Sequence, residues 1–95
     1  SITINNGLNT ITSSSGILDF TNNNLLTTGR VGIGTATPQS SLQIASGYLQ
    51  IPFISGAPPD ADCDSDSKAG RITFDIIHRL FWVCRGAEAW GALAL

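Results

Sequence analysis

The sequence predicts an all-β protein that forms an intertwined homotrimer, in which a β-stranded fibrous shaft leads into a small disulfide-bridged β head. Three observations favour this fold class. Residues 29–38 place glycines where a strand of a lone chain would need core side chains, so we expect another chain to approach the backbone there. The 95 residues include ten glycines and only seven aromatic residues, which leaves one chain little to bury. Residues 71–84 alternate as a β-hairpin does.

Charge and hydropathy exclude several kinds of partner. The formal net charge is −2 and the five Lys and Arg residues are scattered singly, so no basic stripe exists for nucleic acid. The apolar run from Leu80 to Cys84 is far shorter than the ~20 residues of a membrane helix, and we expect no membrane insertion. The chain has no Met and no leader-like segment, so we interpret it as the C-terminal piece of a longer protein.

Residues 1–44 are predicted to form the shaft and its junction with the head. Residues 1–28 space single Ile, Leu and Phe residues between small polar ones, a pattern that predicts short strands joined by tight turns. A Ser/Asn/Thr-rich linker is the alternative, because that composition is also typical of disorder. Residues 29–44 predict a strand, a turn at the Thr-Pro step and a second short strand.

Residues 45–95 are predicted to form the head. Its first strand covers residues 48–54, and Pro52 marks it as an edge strand. Residues 60–68 carry four aspartates at alternate positions, which we interpret as a solvated loop. A calcium loop is the alternative, although the Gly and Glu of an EF-hand loop are missing. The four aspartates are Asp60, Asp62, Asp64 and Asp66.

The clearest signal is a hairpin of residues 71–76 and 80–84. The apolar face of its first strand consists of Ile72, Phe74 and Ile76. The second strand is apolar on both faces, with Leu80, Trp82 and Cys84 on one and Phe81 and Val83 on the other. The head's own core and a disulfide can cover the first of these faces, which leaves Phe81 and Val83 for a neighbouring chain or a ligand. The apolar tail, residues 91–95, is expected to be shielded from water, either along the threefold axis of the trimer or in a shared sheet.

The two cysteines are expected to form a disulfide. Cys63 and Cys84 are separated by 21 positions, and closing a loop of this length stabilises by roughly 3 kcal/mol. Zinc binding is the alternative, but it needs about four ligands, and the two cysteines with His78 fall short. We therefore expect no metal, no cofactor and an oxidising, extracellular setting.

Two segments carry a resemblance to a known family. Residues 30–35, with Pro38 and residues 42–44, resemble the V-G-I-G-T-x-x-P-x-x-x-L-x-[VI] signature of trimeric fibre proteins, among them bacteriophage tail fibres and the mosaic adhesive trimer fibres of predatory bacteria. The segment from Cys63 to Trp90 is similar to the compact tip that often follows, in which the Trp packs the head shut. The resemblance implies a C-terminal fibre tip on a cell surface or virion.

We expect a non-enzymatic tip that recognises a cell-surface component of a target cell, in the first place a carbohydrate, through weak sites multiplied by three. Tips of this kind usually place Thr and Asn in the hairpin turn, where this chain has an apolar residue, a His and an Arg. The candidate ligand-binding residues are Tyr48, Ile77, His78, Arg79, Arg85 and Glu88.

Two other functions are open. The tip could be a purely structural trimerisation and capping module. A glycan-cleaving spike enzyme would need two carboxylates flanking a bond, and outside the acidic loop the chain offers only Asp19, Asp75 and Glu88. We predict no catalytic residues, because no serine or thiol is paired with the single His.

Overall fold

The computed structural model describes residues 10–87 and 89–95, and within them the chain forms β-strands and two short 3-10 helices but no α-helix. The strands belong to two separate sheets. Contacts divide the chain into two compact units, Ser1–Gln43 and Ile44–Leu95. The predicted all-β class is confirmed for the described residues, and the homotrimer stays a prediction.

In the first unit, the described residues before position 30 contain turns and no strand. Backbone hydrogen bonds close turns from Ser13 to Gly16 and from Phe20 to Asn23. The short strands predicted over residues 1–28 are therefore wrong for residues 10–28, and residues 1–9 lie outside the described residues. Extended segments need a neighbouring strand to complete their hydrogen bonds, and the lone chain supplies none to this stretch. The apolar side chains on which the strand prediction was based are solvent-exposed, among them Ile11, Ile17, Phe20 and Leu25.

The predicted strand-turn-strand at the junction is confirmed. Strands β1, Val31–Ile33, and β2, Leu42–Ile44, form a two-stranded sheet. We expected another chain to approach the glycine-rich backbone, but Gly32 is explained within its own chain. A Cβ at this position would lie 2.5 Å from the carbonyl oxygen of Thr35. Gly34 has a φ of +78°, which L side chains rarely adopt. These glycines therefore serve the turn of their own chain.

The second unit is a four-stranded sheet in the order β3-β4-β5-β6. The strands are β3, Phe53–Ile54; β4, Ile72–Asp75; β5, Leu80–Cys84; and β6, Trp90–Ala94. Strand β3 is parallel to β4, and the other pairs are antiparallel. The predicted hairpin is confirmed as β4 and β5. The apolar tail forms most of β6 and extends the sheet of its own chain.

The predicted strand over residues 48–54 is wrong in length, because only its last two residues pair. Pro52 has no N–H to donate, so the ladder cannot extend through it. Its carbonyl instead accepts hydrogen bonds from the N–H of Phe74 at 3.0 Å and from Oγ1 of Thr73 at 2.9 Å. Strand β3 lies at the sheet edge, as its proline predicts.

The strand register separates the sheet into two faces. One face, called the covered face below, lies under the loop of residues 56–70 and is held to it by the Cys63–Cys84 disulfide. It carries Ile54, Thr73, Asp75, Leu80, Trp82, Cys84 and Trp90. The other, called the open face, carries Phe53, Ile72, Phe74, Phe81, Val83 and Leu93. The predicted disulfide is thus observed, on the face assigned to the head's own core.

The covered face is closed by sulfur and polar groups more than by aliphatic side chains. Among the described residues, the largest side chains that are fully buried are Asp75, Cys63 and Cys84. Thr73 is also buried, beside Asp75 on the same strand. The two short 3-10 helices, Asp60–Cys63 and Asp66–Lys68, bring this loop onto the sheet and place Cys63 against Cys84.

Candidate functional site

The turn between β4 and β5 is organised by the buried carboxylate of Asp75. Its Oδ1 accepts hydrogen bonds from the backbone N–H groups of Gly56, Ile77 and His78 at 3.0, 2.9 and 3.1 Å. Its Oδ2 lies 2.8 Å from Nδ1 of His78. Burial by itself would raise the pKa of Asp75, but the hydrogen bonds from the His78 side chain and from these amides outweigh it and hold the pKa well below its usual range.

The three candidate residues of this turn lie together at one end of the sheet. The side chains of Ile77, His78 and Arg79 are solvent-exposed. Arg79 has a φ of +59°, a conformation that Asn or Gly adopts more easily. The anchoring by Asp75 explains how the turn forms without those residues. An Asp at the start of a turn is a recognised sequence signal, so the role of Asp75 could have been predicted from its position before the loop.

The other candidates lie elsewhere. Arg85 follows β5, so it is at the opposite end of the sheet from the turn, about 17 Å away along five strand residues. Tyr48 precedes β3 and is 98% exposed. Glu88 lies outside the described residues. The five described candidate residues therefore do not form one site in a single chain.

The aspartate loop is folded as two short 3-10 helices. Nζ of Lys68 lies 2.7 Å from Oδ1 of Asp64 and donates to the carbonyl of Ala61 at 2.8 Å. The hydrogen bond from Lys68 lowers the pKa of Asp64. Within residues 10–87 and 89–95, no group of three or more His, Cys, Asp or Glu side chains is placed to hold a metal ion. The calcium alternative therefore has no structural support in this part of the chain.

Two grooves flank the edge of the sheet near β3. The first, called the apolar groove, has a volume of about 360 Å³ and continues the open face. It is lined by Leu49, Gln50, Ile51, Phe53, Phe74 and Ile76. Its lining contains no charged side chain, so it suits an apolar partner better than a polar ligand.

The second, called the Trp90 groove, has a volume of about 390 Å³. Its main walls are Pro58, Pro59, Asp62, Arg71, Thr73 and Trp90. Nε1 of Trp90 donates to the carbonyl of Pro59 at 2.9 Å, and Nη1 of Arg71 donates to the carbonyl of Asp62 at 3.2 Å. The resemblance implied that Trp90 packs the head shut, whereas here it is half-buried and one side of it faces a groove. Sequence reasoning missed this groove, because its walls come from three distant segments.

No protein-family model matches the chain, and neither the curated proteins nor the solved structures contain a significant match to it. In the described part of the chain, no helix has the length and apolar character needed to cross a membrane.

Proposed function

We propose that the chain is the end of a homotrimeric fibre that attaches, without catalysis, to a carbohydrate on the surface of a target cell. The resemblance to trimeric fibre proteins described above supports this proposal, and it implies a location outside the cell or on a virion. The observation that carries the proposal is the open face, an apolar sheet surface whose edge residues Phe53 and Leu93 are exposed in the single chain.

The open face is costly to leave in water. Phe53, Phe74, Phe81 and Leu93 lie opposite one another in a row that crosses all four strands. The two members on the edge strands, Phe53 and Leu93, are each 58% exposed. Burying the exposed part of the Phe53 side chain, roughly 100 Å², contributes about 2–3 kcal/mol. A second and third copy of the chain can provide that burial.

The first unit supports the same conclusion independently. Its described Ile, Leu, Val and Phe residues are exposed in the single chain, where they lie in turns, in irregular segments and in the short strands β1 and β2. The exposed residues include Ile11, Ile17, Leu18, Phe20, Leu25 and Leu26. Side chains of this kind at repeated intervals are typical of a fibre whose interior is shared between chains, since one chain alone does not bury enough surface to offset its ordering entropy.

The disulfide and the proposed assembly are consistent with attachment to another cell. A structural disulfide persists in oxidising compartments, which favours an extracellular location. Three identical heads at a fibre end would turn weak single sites into firm attachment by multivalency. The competing function is a purely structural cap, which requires the same trimer but no ligand.

Light scattering coupled to size-exclusion chromatography tests the assembly. We expect a mass about three times the 10.0 kDa of one chain. A monomer at micromolar concentration would contradict the proposal, because a lone chain would then tolerate both the open face and the exposed residues of the first unit. Attachment is tested separately below, since a structural cap would pass this first measurement.

A further inference from the structure

We infer that the Trp90 groove is the carbohydrate-binding site, and that it takes a terminal pyranose sugar. This inference rests on the proposed function, and it assigns binding to a groove whose residues were not among the candidates predicted from the sequence. A pyranose presents an apolar C–H face and a rim of hydroxyl groups. Its recognition therefore needs a flat apolar surface beside fixed donors and acceptors.

Trp90 provides the flat surface. Trp90 is the first residue of β6 and pairs with Cys84 of β5. It therefore lies next to the disulfide that holds the loop to the sheet. Its Nε1 donates to the carbonyl of Pro59, so the ring is held by its backbone in β6 and by this hydrogen bond. Pro58 and Pro59 form the adjacent wall, and prolines lose little conformational freedom when a ligand binds. The platform is therefore formed before the sugar arrives.

Arg71 and Asp62 provide the polar groups. The guanidinium of Arg71 has five N–H groups, and the bond from Nη1 to the carbonyl of Asp62 orients it while leaving donors for a ligand. The carboxylate of Asp62 can only accept hydrogen bonds when ionised, and it lines the same groove. A donor and an acceptor in the same groove can serve sugar hydroxyls, each of which both donates and accepts.

The position of the groove fits the proposed assembly. The groove is lined by Ile54, Thr73 and Trp90 of the covered face and by one open-face residue, Ile72, so most of its sheet residues lie on the side opposite the open face. If copies of the chain meet through the open face, the groove stays accessible to a ligand. A trimer would then present three such grooves.

Neither the apolar groove nor the hairpin turn combines a flat aromatic surface with a charged donor and a charged acceptor. The lining of the apolar groove has no charged side chain, and the described residues of the hairpin turn include no aromatic ring besides the imidazole of His78. The turn and the Trp90 groove therefore make different predictions under substitution. Asp62 and Arg71 are both exposed, which makes them safer targets than Trp90, whose removal could unfold the head.

The test uses the assembled protein on a printed glycan array that carries hexose, N-acetylhexosamine, deoxyhexose and sialic acid termini. Four variants are compared with the unsubstituted chain: Asp62→Asn, Arg71→Gln, Asp60→Asn and Arg79→Gln. Asp60→Asn is the matched control for Asp62→Asn, since it makes the same change two positions away. Arg79→Gln tests the hairpin turn. The mass and melting temperature of each variant are recorded first.

We expect the unsubstituted protein to bind a subset of the glycans. Asp62→Asn and Arg71→Gln should each weaken that binding at least ~10-fold, the loss of about one charge-assisted hydrogen bond, with mass and melting temperature unchanged. Asp60→Asn should bind as the unsubstituted protein does. Intact trimers that bind no glycan would overturn the inference and favour the structural cap. Binding that is lost in Arg79→Gln but kept in the two groove variants would also overturn it. Failure of the chain to form trimers is a separate result, and it contradicts the proposed function itself.

Discussion

The two faces of the head sheet differ in what holds them. The covered face is stabilised by a disulfide and by hydrogen bonds to two buried polar residues, Thr73 and Asp75. The open face carries the row of Phe53, Phe74, Phe81 and Leu93, and in the single chain the two edge members, Phe53 and Leu93, are each 58% exposed. Most small domains place these groups the other way round. The difference supports the proposal that covalent and polar interactions hold the head's own chain together while the open face meets other copies of the chain.

The largest expected effect comes from placing a charge on one face and not on the other. Leu93 and Ala94 are neighbours in β6, both exposed in the single chain, but they lie on opposite faces. We expect Leu93→Glu to raise the concentration at which the trimer dissociates at least ~1,000-fold, the equivalent of about 4 kcal/mol, because each trimer would bury three costly carboxylates. Ala94→Glu should leave dissociation nearly unchanged. Analytical ultracentrifugation over a dilution series measures both.

Equal behaviour of the Leu93→Glu and Ala94→Glu variants would break the comparison, because it would mean that the two faces are equivalent in the assembly. A folded head is required in each case. The near-ultraviolet circular dichroism of the tryptophans provides that control.

A smaller effect is expected on the covered face when the disulfide is removed. Replacing both Cys63 and Cys84 by Ala should lower the free energy of unfolding of the head by about 3 kcal/mol, since the bridge closes a loop over 21 positions. Denaturant titration measures the change. A loss well below 1 kcal/mol would show that the open face, not the disulfide, stabilises the head.

The smallest effect above pH 3 is a gradual loss of stability in acid. The folded state holds the pKa of Asp75 below its ordinary value of 3.8, so below that pH the unfolded chain binds more protons than the folded one. Stability is therefore fully present above about pH 5 and falls progressively as the pH is lowered through 3.8. Melting temperatures measured from pH 6 to pH 3 should show this decline.

Asp75→Asn is the comparison for this pH effect. That variant should be less stable at neutral pH, and its melting temperature should change less between pH 5 and pH 3. The matched substitution Asp60→Asn should follow the unsubstituted protein. An unchanged acid slope in Asp75→Asn would contradict the role given to the buried carboxylate.

The sequence predicts much of this fold because its signals are local. Period-two alternation identifies the hairpin and separates Leu80, Trp82 and Cys84 from Phe81 and Val83. The two cysteines predict the disulfide. The turn at the Thr-Pro step follows from a proline and from glycines, and Gly34 has the positive φ that such a turn requires.

The parts that the sequence does not predict depend on contacts between distant segments. Alternation separates the two faces of β4, but it does not reveal that the polar face is the buried one. That outcome depends on residues 52–56, which bring the carbonyl of Pro52 and the N–H of Gly56 to Thr73 and Asp75. The Trp90 groove likewise requires the loop to be held on the sheet. The strand expected over residues 48–54 reflects β propensity, which Pro52 overrides.

The most direct test of the central claim is hydroxyl-radical footprinting of the assembled protein. In the single chain Phe53 and Leu93 are each 58% exposed, so both should be oxidised if the chain stands alone. Our account predicts that Phe53 and Leu93 are protected in the assembly while Tyr48, at 98% exposure, is oxidised. Oxidation of Phe53 and Leu93 at rates that match their exposure in the single chain would contradict it.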